Sequence, residues 1–375
     1  MFIDNKYAYV FSPYGIGDLV IVRGLKKSIE ETYKVSVRFI VKPAHEFVME
    51  MFGEKEYLTC TYSEAELKIM GEEVSEPTIG KVFVAHPFYH NNGSINVAFL
   101  EHRITFRSVF TKLFKLPDIS KVELPYFFPK VKEEFQKRAR IERMDNTVLL
   151  LPEMKSASQY ENLPVNFFIE VINKIKAEGL QPIVNCTDDT YEELKPYSVE
   201  MTLEELVSLA CECRQVISMR SGICDLIFSR INRLDIIYPN QAFWKLFNLK
   251  EIYCEDSLIN SKEHVLSVSR VLKNMGYDSC AIYGYGNVGK RIHYSLNAER
   301  FPISYIVDCN KKEIKSSVNV YGMNDELPDV DVILITLSHE INDIKIKLSR
   351  KISGSVIDLH ELLMNSDILQ EISFI

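Results

Sequence analysis

The clearest fold signal in this 375-residue chain is the apolar run Tyr7-Ala8-Tyr9-Val10-Phe11, which leads into the turn Gly15-Ile16-Gly17-Asp18. The run has the length of a buried strand, and the two glycines permit a tight turn. Apolar residues spaced by three and four then follow at Val22, Leu25, Ile29 and Tyr33. A strand, a turn and an amphipathic helix form one βα unit, the repeating element of parallel sheets.

The βα pattern starts afresh at two later points in the chain. After the strand-like residues 82–85, a charged helical segment at 131–143 precedes a new strand at 147–151. A predicted helix at 259–275 precedes another strand at 280–283. We therefore predict an α/β protein of three Rossmann-like units, because each new start opens another parallel sheet. Their predicted boundaries are residues 1–135, 136–277 and 278–375.

Composition and charge argue against several classes of function. With 46% apolar and 26% charged residues, the chain is typical of folded globular proteins. Its net charge of −8 argues against nucleic acid as a partner, because wide contact with phosphates needs a basic surface. The eight cysteines include no CxxC pair, so neither a zinc site nor a disulfide framework is indicated. We find no signal-peptide pattern and no long apolar run, and we expect a cytoplasmic protein.

The strongest local motif is Gly284-Tyr285-Gly286-Asn287-Val288-Gly289, which follows a strand and opens a helix. Asp308 ends the next predicted strand, at a spacing where a carboxylate can meet a nucleotide ribose. The motif indicates either a bound nucleotide such as NAD, without chemistry in this unit, or glycines that serve only turning and packing. If a dinucleotide binds, Asp308 should favour an unphosphorylated ribose, and Lys311 and Lys312 offset the repulsion only in part.

Asp18 ends the glycine turn at the carboxyl end of the first strand, where open α/β sheets bind their ligands. A carboxylate there could accept the proton of a sugar hydroxyl that attacks an activated anomeric carbon. Asp is also a frequent helix N-cap, and the local sequence alone favours that structural role for Asp18.

Three segments carry a resemblance to a known family: 13–20 with the Gly-Asp turn, 149–152 with a strand followed by Pro, and 206–222 ending in Arg220-Ser221-Gly222. In this order they resemble the heptosyltransferase-like glycosyltransferases, family nine with the GT-B fold, over about residues 7–240. The resemblance implies two GT-B-type lobes, the first for the acceptor and the second for a nucleotide-sugar donor. It also implies Asp18 as the catalytic base, Gly17 on the acceptor side, and Ser221 and Gly222 beside the donor diphosphate.

Two departures from the family pattern bear on the donor side. The family has Asp before its Ser/Thr-Gly pair and His three residues beyond it, where this chain has Arg220 and Asp225. We expect both Arg220 and Asp225 on the donor side, where Arg220 could clamp a diphosphate through its planar guanidinium or form a salt bridge with Asp225. The family also has a phosphate-binding Lys before Trp-Pro, and this chain lacks it. Because of this departure we expect Lys155 to supply the charge, with Ser156 and Ser158 beside it on the donor side.

A basic cluster marks the expected acceptor side of the first lobe. His86, His90, Arg103 and Arg107 surround its last clear strand and the next helix, predicted at residues 101–115. They could face an anionic acceptor, or they could be structural histidines and a solvated helix face. The same helix carries an apolar stripe, which either packs on the sheet or touches a membrane that holds a lipid-linked acceptor.

These features together predict a glycosyltransferase that moves a sugar from a nucleotide-sugar donor to a surface polysaccharide or lipopolysaccharide-type acceptor. We expect inversion without a metal, because no DxD-like pair ends a predicted strand, and the transfer needs no cofactor. A lipid-linked glycan acceptor would place the protein at the inner face of the membrane. Two other functions stay open: a nucleotide-sugar sensor without activity and a nucleotide-sugar epimerase, since epimerases also use Rossmann units.

Overall fold

In a computed structural model, three parallel β-sheets covered by helices make up the chain. The structure describes residues 4–61, 63, 66, 69, 74–87, 93–101, 103–154, 163–187, 189–253, 260–337 and 340–374. Each sheet consists of parallel strands joined by βα connections, as the repeated sequence pattern requires. The prediction of three Rossmann-like α/β units is confirmed.

The first sheet contains β1 (Tyr7–Phe11), β2 (Ser36–Val41), β3 (Tyr57–Thr59) and β4 (Val82–Val84), in the order β3-β2-β1-β4. Its helices are α1 (Ile16–Gly24), α2 (Lys26–Tyr33), α3 (Glu46–Met51), α4 (Gly93–Leu100) and α5 (Phe106–Leu113). All neighbouring strands are parallel, and β1 lies between β2 and β4. Because β1 is central, the glycine turn after it opens at the middle of the carboxyl edge of the sheet.

Helix α6 (Glu133–Arg138) leads into the second sheet. This sheet contains β5 (Thr147–Leu151), β6 (Gln181–Val184), β7 (Gln215–Met219), β8 (Leu234–Tyr238) and β9 (Ser261–Val265), in the order β6-β5-β7-β8-β9. Its helices are α7 (Val165–Ala177), α8 (Leu203–Glu212), α9 (Gly222–Ile227), α10 (Gln241–Phe247), α11 (Leu249–Tyr253) and α12 (Val268–Asn274). Strands β5, β7 and β8 are buried at every residue, as expected for a parallel sheet with helices on both faces.

The predicted helix at residues 259–275 is wrong in its first half. Residues Ser261–Val265 form the edge strand β9, which pairs with β8 so that His264 lies opposite Ile237. The strand escaped prediction because it is short and mostly polar, and only His264 is fully buried among its five residues. The backbone hydrogen bonds to β8 therefore make residues 261–265 a strand, although the local sequence weakly favours a helix.

The third sheet contains β10 (Cys280–Tyr283), β11 (Ile303–Val307), β12 (Asn319–Tyr321), β13 (Val332–Ile335) and β14 (Ser355–Asp358), in the order β12-β11-β10-β13-β14. Its helices are α13 (Asn287–Ala298), α14 (Ile341–Ser349), α15 (Leu359–Met364) and α16 (Ile368–Glu371). After α15 the chain returns to the second lobe. The Lys174 ammonium donates to the Leu369 carbonyl at 2.7 Å, and the Gln215 side chain donates to the Ser373 carbonyl at 3.1 Å.

Candidate active site

Two turns from different lobes meet at the carboxyl edges of the first two sheets. One turn joins β1 to α1 and ends at Asp18, and the other joins β7 to α9 through Ser221. The two helices pack so closely that a β-carbon on Gly17 would lie 2.8 Å from the Asp225 Oδ2 atom. Because Asp225 is itself held by hydrogen bonds, it cannot swing aside, and position 17 requires glycine.

Asp18 occupies the first turn of α1, while Gly15 is the residue at the N-cap and makes no side-chain capping bond. The expectation of Asp18 as the N-cap is therefore wrong. Burial raises the pKa of the Asp18 carboxyl to about 7, and the charge of Asp225 adds to this rise. Backbone N–H groups of Asp18 and Gly15 and the charge of Lys42 oppose it. A carboxyl group with this pKa exchanges its proton near neutral pH.

A cleft of about 310 Å³ lies between the two lobes beside these turns. Its polar and backbone surface comes from Gly15 and His45 of the first lobe and from Glu153, Asn185, Ser221 and Gly222 of the second. Apolar surface comes from Ile16, Leu151, Leu203, Leu206 and Ile223. A largely apolar cavity with a few polar groups at a sheet edge is the usual form of a small-ligand site.

Three polar residues of this cleft were not predicted from the sequence: His45, Glu153 and Asn185. Each lies shortly after the carboxyl end of a strand, β2, β5 or β6, and this position is the signal that could have revealed them. The Glu153 carboxylate accepts hydrogen bonds from the Cys186 thiol at 2.9 Å and from the Thr187 backbone N–H at 2.5 Å. These bonds orient a negative charge at the cleft wall.

Arg220 and Asp225 form a buried ion pair with two hydrogen bonds of 2.8 and 2.9 Å. The Arg220 guanidinium also donates to the carbonyl oxygens of Ser221 and Phe247, and the Tyr253 hydroxyl donates to Asp225 Oδ1 at 3.0 Å. Arg220 is 4% exposed and Asp225 is 1% exposed. The two side chains thus meet each other at the base of the Ser221-Gly222 turn, which is the salt-bridge alternative. Their role is to hold that turn in position.

The described acceptor-side residues His86, Arg103 and Arg107 each have their own contacts. The His86 ring lies against the ring of Tyr14 in the glycine turn, with centroids 4.2 Å apart. Arg103 forms an exposed ion pair with Glu101 at 2.7 Å. Four predicted site residues lie outside the described residues, namely His90, Lys155, Ser156 and Ser158.

Helix α5 shows how the basic and apolar residues of the first lobe are used. Phe110 and Leu113 of its apolar stripe are buried, and Phe106 packs on Phe247 of the second lobe with ring centroids 5.1 Å apart. Arg107 is also buried, and its guanidinium donates to the Ser120 carbonyl at 2.5 Å. The stripe therefore packs within the protein and is not a membrane surface.

Gly284, Gly286 and Gly289 of the third unit have different surroundings. Gly284 has φ of 88°, and a β-carbon on Gly289 would overlap the Gly284 carbonyl oxygen. A β-carbon on Gly286, the N-cap of α13, would meet nothing within 4 Å. Asp308 secures this loop, because its Oδ2 atom accepts the Tyr285 backbone N–H at 2.7 Å. Packing therefore explains Gly284 and Gly289 and leaves Gly286 facing open space.

Within the part of the chain that the structure describes, no group of three His, Cys, Asp or Glu side chains is arranged to hold a metal ion. None of the helices in that part combines the length and the hydrophobicity needed to cross a bilayer.

No protein-family profile and no curated protein sequence matches this chain. Several solved structures are similar to it, and family nine glycosyltransferases are among them. The glycosyl transferase family 9 from Veillonella parvula is 13% identical and has a TM-score of 0.47, with 80% of this chain and 98% of that chain covered. The ADP-heptose lps heptosyltransferase II of E. coli is 11% identical and has a TM-score of 0.46, with 78% of this chain and 99% of that chain covered. At these identities the likeness concerns architecture and assigns no residue or substrate.

Proposed function

We propose that the first two lobes form a glycosyltransferase that moves a sugar from a nucleotide-sugar donor to a glycan acceptor. The observation that carries this proposal is the backbone contact between Gly17, which precedes Asp18, and Gly222 of the Ser221-Gly222 turn, beside a cleft that both lobes line. The pKa of about 7 allows the Asp18 carboxylate to take up a proton at neutral pH. The resemblance of both turns to family nine supports the same function.

In the proposed reaction, a hydroxyl oxygen of the acceptor attacks the anomeric carbon of the donor sugar. The bond from that carbon to the diphosphate oxygen breaks, and the nucleoside diphosphate leaves with the bonding electrons. Asp18 takes the hydroxyl proton. A single displacement of this kind inverts the anomeric configuration. Backbone N–H groups of the Ser221-Gly222 turn would stabilise the leaving phosphate without a metal, and Lys155 is the cation we expect to assist.

The lining of the cleft fits a nucleoside on its second-lobe side. Leu151, Leu203 and Leu206 offer apolar surface to a base, and the Glu153 carboxylate can accept hydrogen bonds from ribose hydroxyls. The acceptor would approach from the first lobe, past the Tyr14–His86 ring pair. A surface polysaccharide or lipopolysaccharide-type acceptor, free or lipid-linked at the inner face of the membrane, is the acceptor class we propose.

A panel of nucleotide sugars tests this function and separates it from the two alternatives. A donor that binds the folded protein raises its unfolding temperature, and that donor is then incubated with the protein and its products are analysed. Transfer predicts release of nucleoside diphosphate. An epimerase would change the sugar without release, a sensor would bind without any change, and a lack of binding across the panel would contradict all three.

We also propose that the third unit binds a nucleotide, with NAD as the first candidate. The open space beside Gly286 at the start of the 12-residue helix α13 favours this, because the protein itself gives no packing reason for glycine there. Asp308 lies at the end of β11, next to the glycine loop. Asp308 could also accept ribose hydroxyls.

A further inference from the structure

His45 carries an unsatisfied nitrogen beside the cleft. It ends a short 3₁₀ helix, Pro43–His45, that follows β2, and it lines the cleft on the first-lobe side. Its ring Nδ1 atom is buried and has no hydrogen-bond partner among the described residues. Because Nδ1 is out of reach of solvent and of any ligand, Nε2 is the ring nitrogen that can meet a molecule in the cleft.

The surroundings of His45 decide which ring nitrogen carries the proton. Burial lowers the pKa of the imidazole below 6.5, and the positive charge of Lys42 lowers it further. The ring is therefore neutral at pH 7 and has one N–H group and one lone pair. Buried N–H groups without an acceptor are rarer in proteins than unsatisfied acceptors. The proton is consequently placed on Nε2, and the unpaired Nδ1 carries the lone pair.

We infer that the Nε2–H group of His45 donates a hydrogen bond to a phosphate oxygen of a nucleoside diphosphate in the cleft. This inference rests on the proposed glycosyl transfer and names a donor-binding residue on the lobe assigned to the acceptor. His45 shares the cleft with Gly15, the N-cap of α1, with Ile16, and with Ser221 and Gly222 of the other lobe. Backbone N–H groups at these turns favour an anion, and a neutral imidazole adds direction without adding charge. The diphosphate would thus contact both lobes.

Calorimetry on the full-length protein tests the inference. Every protein compared also carries Gly286→Glu. The carboxylate at this position would repel a phosphate and so prevent nucleotide binding by the third unit. His45→Ala should weaken binding of the nucleoside diphosphate by about tenfold to a hundredfold and leave binding of the nucleoside within about twofold. His45→Gln should restore most of the affinity, because its side-chain amide also offers an N–H group. His360→Ala, an exposed histidine of the third unit, is the matched control and should change nothing.

Two further measurements distinguish binding from a structural role. His45→Ala should leave the unfolding temperature unchanged or raise it, because it removes an unsatisfied atom, whereas a structural histidine would lower it. Long-range proton–nitrogen correlation NMR should show the Nε2–H tautomer in the free protein. Unchanged diphosphate binding in His45→Ala, an equal loss for the nucleoside, or an Nδ1–H tautomer would overturn the inference. If the nucleoside diphosphate binds equally well without His45, the inference about His45 is wrong and the proposed function stands. If no nucleoside diphosphate binds, the inference and the proposed function are both wrong.

Discussion

Gly17 of the first lobe and Gly222 of the second are in contact through their backbones. A β-carbon on Gly222 would lie 2.6 Å from the Gly17 amide nitrogen and 3.4 Å from the Gly17 Cα atom. Backbone atoms cannot rotate away from such a clash, so position 222 tolerates only glycine without a shift of one lobe. The contact therefore sets the position of the neighbouring Asp18 relative to the Ser221-Gly222 turn.

Gly222→Ala should separate the two lobes at this contact. We expect transfer to fall by at least about tenfold, since displacements near 1 Å can cost a hundredfold in rate, and the free energy of unfolding to fall by about 1–3 kcal/mol. Initial rates and denaturant unfolding measure the two effects. Gly286→Ala is the control, because its β-carbon meets nothing within 4 Å. A Gly222→Ala enzyme with the wild-type rate would contradict the role of the contact.

The raised pKa of Asp18 predicts how stability depends on pH. The folded carboxyl holds its proton up to about pH 7, while the unfolded carboxyl loses it near 3.8, so the folded state binds more protons in between. The stabilising contribution is complete below pH 3.8 and is lost as the pH rises to about 7. Asp18→Asn should therefore be more stable than the wild type at pH 8, by roughly 2–4 kcal/mol at most. Equal stability of both proteins across this range would contradict the shift.

Arg220→Ala distinguishes a positioning residue from a diphosphate clamp. Because it leaves the buried Asp225 carboxylate without its partner, we expect the free energy of unfolding to fall by about 3–5 kcal/mol. Arg220→Lys should not restore it, since one ammonium cannot make both hydrogen bonds. Arg143→Ala removes an exposed ion pair with Asp145 and should hardly change stability. If Arg220→Ala kept its stability and lost only donor affinity, the clamp would be correct.

The third unit should prefer NAD over NADP. The Lys311 ammonium pairs with Asp325 at 2.6 Å, so it is not available to neutralise a 2′-phosphate near Asp308. Calorimetry should show tighter binding of NAD than of NADP. Asp325→Ala should reduce this difference in affinity, because it frees the Lys311 ammonium. Tighter binding of NADP by the wild type, or no nucleotide binding at millimolar concentration, would contradict this proposal. In the latter case the glycines serve packing alone.

The sequence predicted the elements that local patterns specify. The runs at 7–11, 215–219 and 280–283 are apolar enough to be central strands, and the turns after them bring Asp18 and Ser221 to sheet edges. The polar edge strand Ser261–Val265 was missed, because only its pairing with β8 makes it a strand. The return of the C-terminal residues to the second lobe was missed for the same reason, since Lys174 and Leu369 are distant in sequence.

The candidate site was predicted less completely than the fold. The sequence allowed two roles for Arg220, a diphosphate clamp or a salt bridge with Asp225. The salt bridge depends on hydrogen bonds with Phe247 and Tyr253, which come from later helices. His45 and Glu153 carry no motif, and their shared cleft exists only once the lobes face each other. Polar residues just beyond the carboxyl end of every parallel strand are candidates for such a site, whether or not a glycine turn marks them.

In the proposed mechanism, Asp18 removes the acceptor proton during sugar transfer. The most direct test compares wild type and Asp18→Asn in the release of nucleoside diphosphate from a bound nucleotide sugar in the presence of acceptor. We predict that the wild-type rate rises with pH through about 7, and that Asp18→Asn binds the donor with unchanged affinity, lacks this rise, and turns over about 10²–10⁴-fold more slowly than the wild type at pH 8. An Asp18→Asn protein with wild-type turnover and the same pH profile would contradict this mechanism.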